Sequence, residues 1–94
     1  MTTERSSAET LALRVIFWLL EDADRAQGFL VATGAAPQDL AGSATEPAFL
    51  GAVLDHLLSD DALVTGFCDH AGLPYTAPMQ ARPHLPGFSQ MHWT

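Results

Sequence analysis

The sequence has no lysine at all, and its only permanent cations are four scattered arginines, Arg5, Arg14, Arg25 and Arg82. Eleven acidic residues oppose them, for a net charge of −7. Nucleic-acid binding needs clustered cations to displace the counterions of the phosphates. An anionic membrane surface makes the same demand. Neither a nucleic acid nor a membrane is therefore expected as a partner. There is a single cysteine, Cys68, so an internal disulfide and a multi-cysteine zinc site are excluded. Long hydrophobic runs are also missing. The stretch from Leu11 to Leu20 is interrupted by Arg14 and closed by Glu21 and Asp22, short of the about 20 apolar residues that span a bilayer. The first residues lack the basic start and clean cleavage site of a secretory signal. A cytoplasmic location is expected, and a lone cysteine suits a reducing compartment. No alternation of β-branched residues marks a strand.

What is present is a chain of 94 residues with 48% hydrophobic and 16% charged positions, enough for one folded domain. Helix signals follow one another along it. Ser6 and Glu9 have the spacing of a capping box, predicting a first helix from about Ser7 to Glu21. Asp22 caps a second through about Thr33, with Gly34 placed to end it in the left-handed conformation. Pro37 opens a short piece to about Ala41. Thr45 or Glu46, followed by Pro47, starts a helix to Leu58. Ser59 or Asp60 caps another that ends at Gly72, with Asp61 beside the positive end of its dipole. Pro74, Pro78, Pro83 and Pro86 leave room for one short helix near Pro78 to Arg82. From Leu85 an irregular tail is expected.

Shifted by 38 residues, the sequence lies on itself. Val15 meets Val53, Leu19 meets Leu57, Leu20 meets Leu58 and Asp22 meets Asp60; Gly28-Phe29 meets Gly66-Phe67, and Gly34 meets Gly72. The identities fall on cap and core positions. This predicts a helical hairpin used twice, neither copy able to bury its apolar face alone. The expected architecture is all-α: four main helices plus short helical turns, in one domain over residues 1–87. Its two units would be residues 6–42 and 45–82, followed by a flexible tail, 88–94.

The helix from Pro47 to Leu58 is amphipathic, with Phe49, Leu50, Val53, Leu54, Leu57 and Leu58 on one half and Asp55 and His56 on the other. The first helix differs. Its polar residues Ser7, Thr10, Arg14 and Glu21 make one narrow stripe, and most of the rest is apolar. Phe17 and Trp18 occupy the places of Asp55 and His56. If the latter pair faces water, Phe17 and Trp18 form an apolar face that needs a cover. Burying each contributes about 1.5–3 kcal/mol. The cover is expected from the chain's own core or tail (Leu85, Phe88, Met91, Trp93), from a second copy in an isologous homodimer, or from another protein partner.

Catalytic signals are weak. Cys68-Asp69-His70 are adjacent in sequence, yet successive helical residues point to different sides, so Cys68 reads as a small hydrophobe at the core's edge. Asp60-Asp61 is explained by capping. Gly28 and Gly66 are expected at close helix contacts. No nucleophile with its base and oxyanion donors is recognisable, so no catalytic residue, metal or cofactor is assigned. A small-molecule or enzymatic site between the hairpins, around His56 and His70, is the alternative to an interaction module.

A resemblance adds to this reading. Gly34-Ala-Ala-Pro37-Gln-Asp-Leu40, Glu46-Pro47-Ala-Phe49-Leu50, Ala52-Val53-Leu54-Asp55-His-Leu57-Leu58-Ser-Asp60, Phe67, and Ala71-Gly72-Leu73 follow in an order that resembles a family of short bacterial proteins catalogued as a domain of unknown function. Ala81-Arg82-Pro-His-Leu85-Pro86-Gly87 is similar to that family's usual ending. The resemblance covers about residues 9–87 and implies an all-helical fold with no assigned activity. The chain departs from it between Leu73 and Pro83, where extra prolines replace a regular last helix.

Overall fold

Residues 2–86 are described by the computed structural model, and within them the chain is all-α. The elements are α1 (Thr2–Leu20), α2 (Ala23–Thr33), a 3-10 turn (Pro37–Asp39) running into α3 (Leu40–Ser43), α4 (Pro47–Leu58), α5 (Asp61–Ala71), α6 (Ala77–Ala81) and a closing 3-10 turn (Arg82–His84). No strand occurs among the described residues.

Local chemistry sets most of these boundaries. Asp22 has extended backbone, and its carboxylate accepts the Arg25 amide at 3.0 Å, starting α2. Asp60 does the same for α5, accepting the Ala62 amide at 2.9 Å. Each cap satisfies one of the amides that a first helical turn leaves without a partner. Gly34 and Gly72, at φ 72° and 71°, end α2 and α5 in the left-handed region that disfavours any side chain. Their amides return to the carbonyls of Leu30 and Cys68. Pro47 opens α4 behind Glu46, whose side chain makes no capping bond.

One predicted start is corrected. The Ser6/Glu9 capping box is not used, because α1 runs straight through it from Thr2. The Glu9 carboxylate instead lies 3.4 Å from Arg5 Nε, one turn back on the same helix. At its other end α1 stops at Leu20, and the Glu21 amide closes a tight turn onto the Trp18 carbonyl. The chain therefore doubles back at once into α2.

The main packing is α1 against α4, with α2 and α6 each touching both. From α1 the core takes Ala8, Leu11, Ala12, Val15, Ile16, Trp18 and Leu19; from α4 it takes Leu50, Val53, Leu54 and Leu57. Phe29, Phe67, Cys68 and Leu85 complete it. Three pairs of positions 38 apart, Val15 and Val53, Leu19 and Leu57, and Phe29 and Phe67, are buried. Two ring contacts correspond in the same way. Trp18 meets Phe67 edge-on, with ring centres 5.8 Å apart. His56, which stands 38 residues after Trp18, lies 5.7 Å from Phe29. No helix among the described residues is long and apolar enough to cross a membrane.

Candidate interaction face

Because α1 buries so wide an arc, past its first turns only Leu20 and one narrow line of residues reach solvent. Ser7, Thr10, Arg14, Phe17 and Glu21 are all exposed. Their spacing alternates three and four residues, so they fall in a straight row along the helix. Phe17 stands in the middle of that row with 67% of its surface open. It shares the rim of a cleft of about 250 Å³ with Arg14, Glu21 and His70. Arg14 makes one long hydrogen bond, Nη2 to the Ala71 carbonyl at 3.5 Å. Glu21 has no ion-pair partner among the described residues.

Trp18 does not share this exposure, which corrects the expectation that it belongs with Phe17 on an open face. Only 6% of its surface is exposed. Phe67 covers one side, and Gly66 leaves room for the indole: a Cβ there would lie 3.1 Å from the ring. Across the tight turn, the Arg25 guanidinium sits 4.0 Å from the ring centre, a cation–π contact. Arg25 Nη2 also donates to the Trp18 carbonyl at 3.1 Å. The cover for Trp18 thus comes from its own chain. Gly28, expected to make a contact like that of Gly66, has nothing near it.

A second correction concerns α4. Asp55 and His56 do not simply face water. Arg82 reaches back from the closing turn and grips Asp55 with a two-pronged contact, Nε to Oδ1 at 2.6 Å and Nη2 to Oδ2 at 3.1 Å. Its Nη1 donates to the carbonyls of Leu85 and Pro86 at 3.0 and 3.2 Å. Arg82 is buried, with 3% exposed. Gly51 permits this close passage, because a Cβ there would lie 2.7 Å from the Pro86 carbonyl oxygen. Sequence reasoning counted Arg82 only as a scattered cation. The clue was its place among prolines, in a segment unable to pair its own carbonyls as a long helix would.

The two histidines of the alternative site have different surroundings. His56 is half-buried against Phe29, and burial pushes its pKa below the ordinary value, partly opposed by Asp60. His70 lines the Phe17 cleft, which does not include His56. Cys68 is buried, and desolvation, with Asp69 adding to it, pushes its thiol up; this environment suits packing rather than nucleophilic chemistry. The Tyr75 hydroxyl donates to Asp69 Oδ1 at 2.7 Å, a bond that raises its pKa. Among the described residues, no three His, Cys, Asp or Glu side chains are grouped to hold a metal ion.

Two other depressions mark the surface. One, of about 700 Å³, runs between the first half of α1 and α6, lined by Ser7, Thr10, Arg14, Gln80 and His84 among others. Another, of about 550 Å³, carries Tyr75 and Met79 beside Leu58 and Val64. The remaining expected contact residues, Phe88, Met91 and Trp93, lie outside the described residues.

No curated protein and no solved structure matches the chain. Residues 5–88 match a family described as "Protein of unknown function (DUF3572)". That span is nearly the whole helical fold, from the first turns of α1 to beyond the Arg82 grip, so the chain belongs to the DUF3572 family.

Proposed function

We propose that the chain is a small protein–protein interaction module whose partner docks on the outer row of α1, centred on Phe17. The observation that carries this reading is a large aromatic ring standing 67% exposed within the polar row of a helix whose opposite side is packed into the core. Aromatic residues and arginine are enriched at the centre of docking sites, whose rims are polar. The polar rim here is Arg14, Glu21 and His70.

The scaffold beneath it is read as a tandem duplication of one helical hairpin. The paired caps Asp22 and Asp60, the paired ends Gly34 and Gly72, and the corresponding ring contacts on Phe29 and Phe67 support it. In that reading, Phe17 corresponds to Asp55. The second unit spans its position with Arg82, and the first leaves its position open for another molecule.

The test is a photoreactive phenylalanine analogue at position 17 of the full chain, expressed in the cells it comes from, with Gln27 on α2 as the control site. A discrete adduct from position 17 and none from position 27 supports the reading. Equal labelling from both sites, or none from 17, rejects it.

A second reading rests on the groove of about 700 Å³ between α1 and α6, which has the size of a small-molecule site. Its hydroxyl, amide, guanidinium and imidazole groups, with the Glu4 carboxylate, suit a small polar ligand. A metabolite that raises the melting temperature of the wild type but not of Gln80→Ala supports this reading. The absence of any such shift across a broad panel removes it.

A further inference from the structure

Accepting the interaction reading, we propose that the occupant of the α1 row is a second copy of this chain, docked antiparallel so that Arg14 of each protomer pairs with the partner's Glu21 beside the two Phe17 rings.

Arg14, Phe17 and Glu21 follow the three-four spacing of one helix face, with Glu21 the first residue past the end of α1 at Leu20. Between Ser7 and Glu21 the exposed row carries one cation and one anion, so it escapes the acidity of the chain as a whole. The two charges flank Phe17 nearly evenly, three residues before it and four after. At about 1.5 Å per residue Arg14 stands roughly 4.5 Å along the axis from the ring position, and Glu21 sits in the tight turn that closes the helix.

A two-fold axis passing beside Phe17 therefore brings each Arg14 opposite the partner's Glu21, twice per dimer. Parallel pairing would instead set arginine against arginine and glutamate against glutamate. The charges thus select one orientation. Isologous pairing requires that the same surface complement itself after a two-fold rotation, and this row meets that requirement about its own centre. An unrelated partner would impose no such condition on the placing of Arg14 and Glu21. The groups that would pair are poorly satisfied within one chain. Arg14 has one 3.5 Å hydrogen bond, and Glu21 has no ion pair among the described residues.

Sedimentation equilibrium on the full chain over a dilution series tests the proposal at low salt. Wild type is expected to show a reversible monomer–dimer equilibrium. Arg14→Glu and Glu21→Arg are each expected to weaken it at least tenfold, with the helical circular dichroism unchanged. An equimolar mixture of these two variants restores both cross-chain pairs. It is therefore expected to form a heterodimer tighter than either variant's homodimer. Phe17→Asp, which removes the ring from an exposed position, is expected to be monomeric and folded, and it stands in if Arg14→Glu disturbs folding. A wild type that stays monomeric to about 1 mM, the level of adventitious contacts, overturns the proposal. So does a mixture that yields no heterodimer. The photoadduct from position 17 separates this failure from failure of the interaction reading. Twice the chain mass supports self-pairing, whereas an adduct with a different protein keeps the interaction face and overturns the second copy as its occupant.

Discussion

The outer flanks of α1 and α4 differ in a way their sequences invert. The α4 flank carries the polar pair Asp55-His56, yet it is partly covered: Arg82 grips Asp55, and Phe29 packs on His56. The α1 flank carries the apolar pair Phe17-Trp18, and half of it is bare. The difference teaches that cover is assigned by chain connectivity as well as by hydropathy. The segment after α5 turns back over α4 and delivers an arginine there. After α2, the chain offers no equivalent to Phe17.

The strongest way to break this comparison is to truncate the two neighbouring aromatics of α1. Trp18→Ala is expected to lose about 3–5 kcal/mol of unfolding free energy, as large buried rings do. In dilute solution, Phe17→Ala should stay within about 0.5 kcal/mol of wild type, as exposed positions do. Urea titrations giving equal losses would erase the distinction between a covered and an open residue.

The next largest effect concerns the cover on α4. Arg82→Met is expected to cost about 2–4 kcal/mol, because it strips partners from two carbonyls as well as from a carboxylate. Asp55→Asn should cost less, since the Asp55 side chain is 40% exposed and water can replace part of the contact. The order of the two denaturation midpoints checks this.

Glycine replacements sharpen the contrast further. Gly51→Ala pushes a methyl to 2.7 Å from the Pro86 oxygen and is expected to destabilise by about 1–3 kcal/mol. Gly28→Ala meets nothing within 4 Å inside α2, so it should stabilise by about 0.5–1 kcal/mol through helix propensity. Thermal melts of the two variants should move in opposite directions.

The smallest effect is in pH. Burial lowers the pKa of His56 in the folded chain, so the native state favours the neutral ring. The associated stability is present above the unfolded value of about 6.5 and is lost as the pH falls through it toward the lower folded value. Between about pH 7.5 and 5.5, the wild type should therefore lose more stability than His56→Gln. Parallel slopes for the two proteins would remove His56 from this account.

How much was legible in the sequence depended on the range of each interaction. Asp22, Asp60, Gly34 and Gly72 act within one helical turn, and their roles could be read directly. The Ser6/Glu9 box is equally local, but it was misleading. Residues preceding it are themselves able to continue the helix, and Arg5 competes for the Glu9 carboxylate. Trp18 was misplaced because its covers, Phe67 and Gly66, lie far along the chain. Arg25, seven residues on, reaches it only because the backbone reverses after Leu20. Arg82 and Asp55 are 27 positions apart, and no periodicity within one helix can reveal such a pair. Phe17 was the easier half of the site, since an aromatic in the polar row of an otherwise apolar helix has few places to hide.

The fork at Arg82 fastens the chain to itself around the whole of α5. A segment enclosed in this way cannot peel off from one end like an ordinary terminal helix. Its amides should exchange with deuterium in step with the Leu85 amide, as a single cooperative unit. Releasing that one clasp would give the second half of the molecule a loose end, and the order in which the halves come apart would change with it.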